Sequence, residues 1–470
     1  MLFCSRPFWL FFLTVFAVYW AIPWRTPRVW LLLGASYYFY ASWNQWLALV
    51  VCFSSILDYF LARGMEWTQS PHARRALVTT SILSNLGLLG YFKYSDFFLS
   101  SLEHLLQGAG LHVSMPVLRT IVPIGISFYT FEAINYTVDV YRRRIRAERQ
   151  LPHFMLFILF FPHLVAGPIV RARDFLPQVG RRKRWNWPRL HLGLQLIILG
   201  LFKKMAIADR MALFADPVFA HPGNYSTSAL WIGVFAYSIQ IYCDFSGYTD
   251  MALGLAHTFG YKLTQNFNMP YLSASIAEFW RRWHITLSTW LRDYLYIPLG
   301  GSRRGPWRTR LNLFITMTLG GLWHGAAWHF VVWGMIHGAW LGVHREFQDR
   351  FGEREAKVPF PQRAVNVALT FLGVTLAWVI FRAASTEQAF QILRYLFSAR
   401  SGEGPALAVS VFWFAVAMLA VGHLFTAQGW WRQLAPRMPP AALGWGYATV
   451  LTMTLVLAPE PGKTFIYFQF

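Results

Sequence analysis

Apolar runs long enough to span a bilayer recur from one end of the chain to the other, separated by short polar stretches. The run PFWLFFLTVFAVYWAIPW at 7–24 is one, and LHLGLQLIILGLF at 190–202 is another. About twenty apolar residues in a helix match the hydrocarbon thickness of a membrane. The pattern therefore predicts an all-α polytopic membrane protein. Spans are expected at 7–24, 29–40, 46–61, 76–98 and 121–140. Further spans are expected at 190–208, 229–259, 364–381, 407–425 and 443–457. The apolar segment 154–170, FMLFILFFPHLVAGPIV, does not fit this scheme. Basic stretches flank it on both sides, and it contains Pro162, Gly167 and Pro168, which break helices. Irregular backbone at membrane depth is tolerated only where it is buried in protein or lines a cavity. The segment is read as re-entrant or interfacial, and its break points to a cavity.

Charge assigns the sides. Lys and Arg mark cytoplasmic loops. The loop with Arg63, Arg74 and Arg75 is placed inside, as are YRRRIRAER (141–149) and the basic stretch 171–184. The segment SLEHLLQGAGLHVSMP, poor in Lys and Arg, is placed outside. The same rule explains the formal net charge of +21 without nucleic acid, because no exposed basic module is present. Only 13% of the residues are charged, about half the usual share of a soluble protein. The three cysteines, Cys4, Cys52 and Cys243, have no metal-ligand or disulfide spacing. The first apolar run is followed at once by another, so it is read as a membrane helix and not as a cleaved signal peptide. No linker, low-complexity tract or internal repeat divides the chain. It is expected to form one membrane domain, 1–470, organised around 271–340.

Polar groups inside apolar spans carry the chemistry, because they are costly there. The span 229–259 holds Gln240, Asp244, Ser246, Tyr248 and Asp250. Two readings stand: a satisfied hydrogen-bond network between helices, or a cavity wall. The central stretch holds His284, His324, His329 and His337. His324 lies in LGGLWHGAAWHF, where glycines permit close approach and tryptophans supply apolar walls. A buried imidazole stays neutral, as a general base must be. The alternative is a core histidine bonded to a neighbouring helix. At about 100° per residue, His324 and His329 point apart, and no HExxH pattern occurs, so a metal site is not expected. His329 and His337 are read as scaffolding. His284 sits in EFWRRWHITLSTWLRDYLY. This is either an interfacial amphipathic helix or an element dipping toward a cavity, with Ser288 on the same face. GxSxG is absent, so a serine hydrolase is weakly supported. Arg282, Arg303 and Arg304 could hold phosphate, though a basic cytoplasmic loop accounts for most such arginines.

FWRRWHITLSTWLRDYLYIPLGG followed by GGLWHGAAWHFVVWG closely resembles the membrane-bound O-acyltransferases, and within them the bacterial alginate O-acetylation branch. PIGISFYTFEAINYTVDVYR, FPHLVAGPIVR, YSIQIYCDFSGYTDMALGLA, NFNMPYLSASIAEFW, WVIFRA and the terminal FIYFQF extend the match. It is weakest at 345–363 and 398–441. The resemblance implies a bundle of roughly a dozen transmembrane and re-entrant helices around a central tunnel. It maps the family's catalytic histidine onto His324. A second position, His, Asn or Asp in different members, maps onto His284. It implies acetyl-CoA as cosubstrate, with no bound cofactor and no metal. The chain would sit in a bacterial inner membrane and pass acetyl to an extracytoplasmic partner, an acetyltransferase resembling SGNH hydrolases. That partner would modify a polysaccharide. Peptidoglycan or cellulose acetylation and teichoic-acid D-alanylation are the related alternatives. A transporter using Asp244 and Asp250 for a coupling ion is the alternative from another class.

Overall fold

The computed structural model describes every residue except 2, 119, 165–166, 353–358, 460–464 and 466–470, and the side chains of 431, 432 and 436. The terminal FIYFQF after Phe465 and parts of 161–171 and 345–363 thus lie outside the described residues. The described residues are helical, with one isolated bridge between Tyr225 and Glu403. They form two compact units, Met1–Leu194 with Ala252–Thr264, and Gln195–Met251 with Gln265–Phe470.

The first unit holds α1 (Arg6–Ala21), α2 (Arg25–Ala41), α3 (Gln45–Trp67), α4 (Pro71–Leu89), α5 (Ser95–Gly108), α6 (Ile126–Tyr141), α7 (Leu151–Leu159), α8 (Phe161–Leu164) and α9 (Ala172–Val179). Helix α10 (Trp187–Leu201) begins in this unit, and α12 (Thr227–Thr258) ends in it. The second unit contains the rest of both, with α11 (Asp209–Ala220), α13 (Ile276–Arg282), α14 (Ile285–Leu291), α15 (Gly305–His324), α16 (Trp328–Phe351), α17 (Phe360–Arg382), α18 (Thr386–Leu396), α19 (Val409–Ala427), α20 (Trp430–Leu434) and α21 (Pro440–Leu457).

Five helical stretches among the described residues are long and apolar enough to cross a membrane: Gln45–Trp67, Trp187–Ala220, Phe360–Arg382, Val409–Ala427 and Pro440–Leu457. The remaining helices fall short of that standard, among them the apolar but shorter Arg6–Ala21 and Leu151–Leu164. The all-α expectation holds, while a count of a dozen membrane elements does not follow from length and composition. Large apolar side chains lie exposed along these helices, including Phe53, Leu369, Val421 and Val456. Exposed apolar surface on this scale suits lipid and not water.

Span boundaries differ from expectation at several places, three of them with a clear cause. Helix α4 runs through a π-helical turn, Gly90–Tyr94, into α5, so residues 99–108 are helix and not loop. SLEHLLQG is built of good helix formers, and propensity prevails over the polar signal. The span expected from 121 becomes helical only at Ile126, behind Pro123 and a left-handed Gly125 (φ 74°). Helix α10 likewise continues through a π-helical turn, Phe202–Ala208, into α11, which places Asp216 and Pro217 in a helix.

The broken segment behaves as its prolines and glycine demand. Helix α7 stops at Leu159, Phe160 leaves helical geometry, and α8 lasts four residues. Residues 145–150 before the segment and Ala172, Arg173, Leu176 and Pro177 after it line one cavity of about 350 Å³. The two flanks of the broken segment therefore meet at one place, which suits a re-entrant and an interfacial element alike. Glu132 on α6 holds the return: its Oε1 accepts from the Val170 amide at 2.8 Å, and its Oε2 lies 3.3 Å from His163 Nε2. Asp58 on α3 receives the Ser81 hydroxyl (2.5 Å) and the Asn85 amide (2.8 Å) from α4. Each buried polar group so paired avoids a cost of about 1–3 kcal/mol.

Candidate functional site

All four histidines of the central stretch lie in the second unit and are buried. The run around His284 is not one amphipathic helix. Ser275 caps α13 by accepting the Glu278 amide at 3.1 Å, and Glu278 Oε2 accepts the Ala274 amide at 2.8 Å. That arrangement resembles a capping box and fixes where α13 begins. The helix then stops, and His284 adopts a left-handed backbone (φ 41°) before α14 starts. A non-glycine residue rarely takes this conformation, though His, Asn and Asp do so more readily than others. The break turns the imidazole inward, and His284 is wholly buried. Ser288 does not serve it, because its hydroxyl donates to the Trp283 carbonyl at 3.3 Å.

Asn266 orients His284. Its Oδ1 accepts from the Thr286 amide (3.2 Å) and the Thr286 hydroxyl (2.8 Å), and lies 3.1 Å from His284 Nδ1. An atom that accepts from two donors is an oxygen, so the amide orientation follows from the network. The contact to His284 then requires a proton on Nδ1, which leaves Nε2 as the basic nitrogen.

His324 is the last residue of α15, and Gly325 after it is extended (φ −160°). The chain reverses through 325–327 into α16. His324 and His329 therefore sit on different helices, and the single-helix spacing argument does not apply to them. The close packing of α15 on α16 needs glycine. A side chain on Gly321 would meet the Phe330 carbonyl oxygen, and a Cβ on Gly338 would come within 2.8 Å of Phe314 Cα. Small residues let two helix backbones approach in this way. His324 ends where helix carbonyls lack partners, a position that favours a histidine.

The two imidazoles share a neighbour. The Trp323 ring lies 6.0 Å from the His284 ring and 5.0 Å from the His324 ring, centroid to centroid, edge-on to both. Phe245 closes the His284 side at 4.8 Å. Trp333 and Phe381 close the His324 side, each at 5.3 Å. His337 is also part of this cluster: Trp333 lies 4.6 Å from it, and the Trp280 indole donates to its Nδ1 at 3.4 Å. His329 packs on Phe330 instead, at 4.2 Å.

The three arginines are not brought to the imidazoles. Arg282 pairs with Glu278 at 2.8 Å and donates to the Asn268 carbonyl at 3.1 Å. Arg303 and Arg304 are exposed on the turn ahead of α15.

The carboxylates of α12 have partners that sequence reasoning missed. Lys204 Nζ lies 2.8 Å from Asp209 Oδ1 and 2.9 Å from Asp244 Oδ1, all three buried. Lys203 Nζ lies 2.7 Å from Asp250 Oδ2. Both lysines sit on the π-helical turn after α10, and such turns are frequent at functional sites. A Cβ on Gly247 would lie 2.8 Å from the Gly200 carbonyl oxygen, so the two helices cross closely beside these pairs. The signal was present in the sequence, since two adjacent lysines interrupt an apolar span at FKKMAIA. Asp244 and Asp250 are thus each engaged by an ammonium group.

Histidines buried among aromatic rings, and ordered by amide and glycine contacts, can accept and return a proton in a dry interior. Comparison with known proteins agrees with acyl-transfer chemistry. The sequence profile of the membrane-bound O-acyltransferase family matches residues 8–351. The chain is 42% identical to a probable alginate O-acetylase of Azotobacter vinelandii over 85% of this chain and 78% of that protein. It is 37% identical to its Pseudomonas putida counterpart over the full length of both. It is 39% identical to a peptidoglycan O-acetyltransferase of Helicobacter pylori over 78% of this chain and 73% of that protein. These similarities make the chain an enzyme, a polytopic member of the membrane-bound O-acyltransferase family.

Proposed function

We propose that this protein takes acetyl from cytoplasmic acetyl-CoA and passes it across a bacterial inner membrane for O-acetylation of an extracytoplasmic polysaccharide of the alginate type. One observation carries the reading: His284 and His324, the two histidines in the family's motif contexts, are both buried and both pack edge-on against a single indole, Trp323. Burial excludes competing water, and a fixed geometry supplies proximity. His324 removes the proton from an acceptor hydroxyl. The hydroxyl oxygen forms a bond to the thioester carbonyl carbon, the carbon–sulfur bond breaks, and the thiolate leaves with the proton held by the imidazole. His284, with Nε2 as its basic nitrogen, orients the donor. The acceptor hydroxyl belongs to an outer partner enzyme or to its glycan. The relatives named for alginate O-acetylation favour a uronate polysaccharide. The Helicobacter pylori relative keeps peptidoglycan as the second reading. The test is acetyl transfer from labelled acetyl-CoA by membranes carrying His324→Ala at matched, folded protein levels. Loss of about 10²-fold or more is expected of a general base, and unchanged transfer would remove His324 from the mechanism.

A further inference from the structure

Two adjoining cavities open in the first unit, of about 350 and 660 Å³, and they share Ile145, Arg146 and Ala147. The smaller is completed by 148–150 with Ala172, Arg173, Leu176 and Pro177, the larger by residues of 66–74 and 140–144. These segments belong to three loops that charge alone assigns to the cytoplasmic face. Their convergence in one crevice is independent of that assignment.

The acids in the walls are already engaged. Glu66 pairs with Arg63 at 3.0 Å. Glu148 Oε1 accepts the Arg149 and Gln150 amides at 2.8 and 2.9 Å and lies 3.7 Å from His153 Nδ1. Arg144 lies 3.5 Å from Asp139, and Arg173 lies 3.8 Å from Asp174. The Arg74 guanidinium is spent on backbone carbonyls, including those of Val140 and Tyr141. Three lining arginines remain, Arg143, Arg146 and Arg149. Each is exposed, and none has a carboxylate within salt-bridge distance among the described residues. Arg143 also holds a left-handed backbone (φ 57°). Such strain in a non-glycine residue tends to mark ligand sites.

A cytoplasmic loop explains excess arginine. It does not explain a concavity in which every acid is engaged and three guanidinium groups are not. We infer that this crevice binds a phosphate-bearing anion, with Arg143, Arg146 and Arg149 as its ligands. The guanidinium fork matches phosphate oxygens bidentately, and the volumes fall in the range of small-molecule sites. The phosphates belong either to a soluble nucleotide or to an anionic lipid headgroup. The inference concerns the first unit alone and stands or falls apart from the acetyl-transfer reading.

The test uses the full chain in nanodiscs. In phosphatidylcholine discs, adenosine 3′,5′-bisphosphate is the soluble probe and its binding is titrated directly. In a second arm, discs contain phosphatidylglycerol, and lipid retention is read by native mass spectrometry. Arg143→Gln, Arg146→Gln and Arg149→Gln are each expected to weaken one probe by about tenfold, with the Lys variants intermediate. Arg437→Gln, an exposed arginine elsewhere, serves as the control. Weakening in the first arm assigns a nucleotide, and weakening only in the second assigns a lipid. All three variants binding both probes like the parent, at unchanged unfolding temperature, would overturn the site. A chain that transfers no acetyl yet binds the bisphosphate keeps the site and loses the proposed function.

Discussion

Asn266→Ala should disable the protein through His284 without touching any histidine. The substitution removes one oxygen that serves the Thr286 amide, the Thr286 hydroxyl and His284 Nδ1. The hydroxyl can rotate to a helix carbonyl, so two buried donors lose their acceptor. Each costs about 1–3 kcal/mol, which gives a loss near 2–4 kcal/mol after relaxation. The chemical effect is separate. Without Oδ1 the imidazole is free to exchange tautomers, and the population with a basic Nε2 falls. Two variants separate these effects. Asn266→Asp keeps an acceptor toward all three donors and should retain the tautomer, while Asn266→Ala loses both. The assay is labelled acetyl transfer against pH, with thermal unfolding in detergent measured in parallel. The expected result is a folded but slow Ala variant whose pH profile shifts, and substantial rescue by Asp. An Ala variant that loses stability yet keeps the parental kcat and pH profile would refute the orienting role.

Further outcomes follow from named contacts. Lys204→Met leaves Asp209 and Asp244 buried without their cation and should cost about 3–5 kcal/mol. Adding Asp244→Asn should recover part of that loss, as read by thermal unfolding. Gly321→Val drives a side chain into the Phe330 carbonyl, and overpacking of this kind costs at least about 1–3 kcal/mol. It should abolish extraction of folded protein, whereas Gly34→Val, with open space around its Cβ, should not. Trp323→Ala should lower transfer more than Trp323→Phe, since both imidazoles pack on that ring. Equal rates for the two variants would argue against a positioning role for the indole.

Much of this architecture was legible because membrane burial is a strong, local signal. Apolar runs gave the helices, and Pro162, Gly167 and Pro168 gave the break in 154–170. Boundaries were less legible. The α4–α5 continuation and the α10–α11 continuation pass through π-helical turns, which hydropathy does not register. The site divides the same way. His284 and His324 stood out as imidazoles in apolar contexts. Asn266 did not, because a single amide 18 residues upstream of His284 acquires meaning only when the chain folds back on it. Lys203 and Lys204 were visible but read as span residues. Their role depends on α12 supplying Asp250 and Asp244 opposite them.

The left-handed backbone of His284 carries a consequence for how that position tolerates change. The residues that the family resemblance allows there, His, Asn and Asp, are the non-glycine residues most at ease at positive φ. A conformational filter therefore acts on the position before any chemical one does. In a saturation library at 284, Asn, Asp and Gly should populate the folded fraction, and Val and Ile should drop out of it. Sorting for folding and then for transfer would rank the same twenty residues in two different orders. The distance between those orders would measure how much of the histidine's identity belongs to the turn and how much to the reaction.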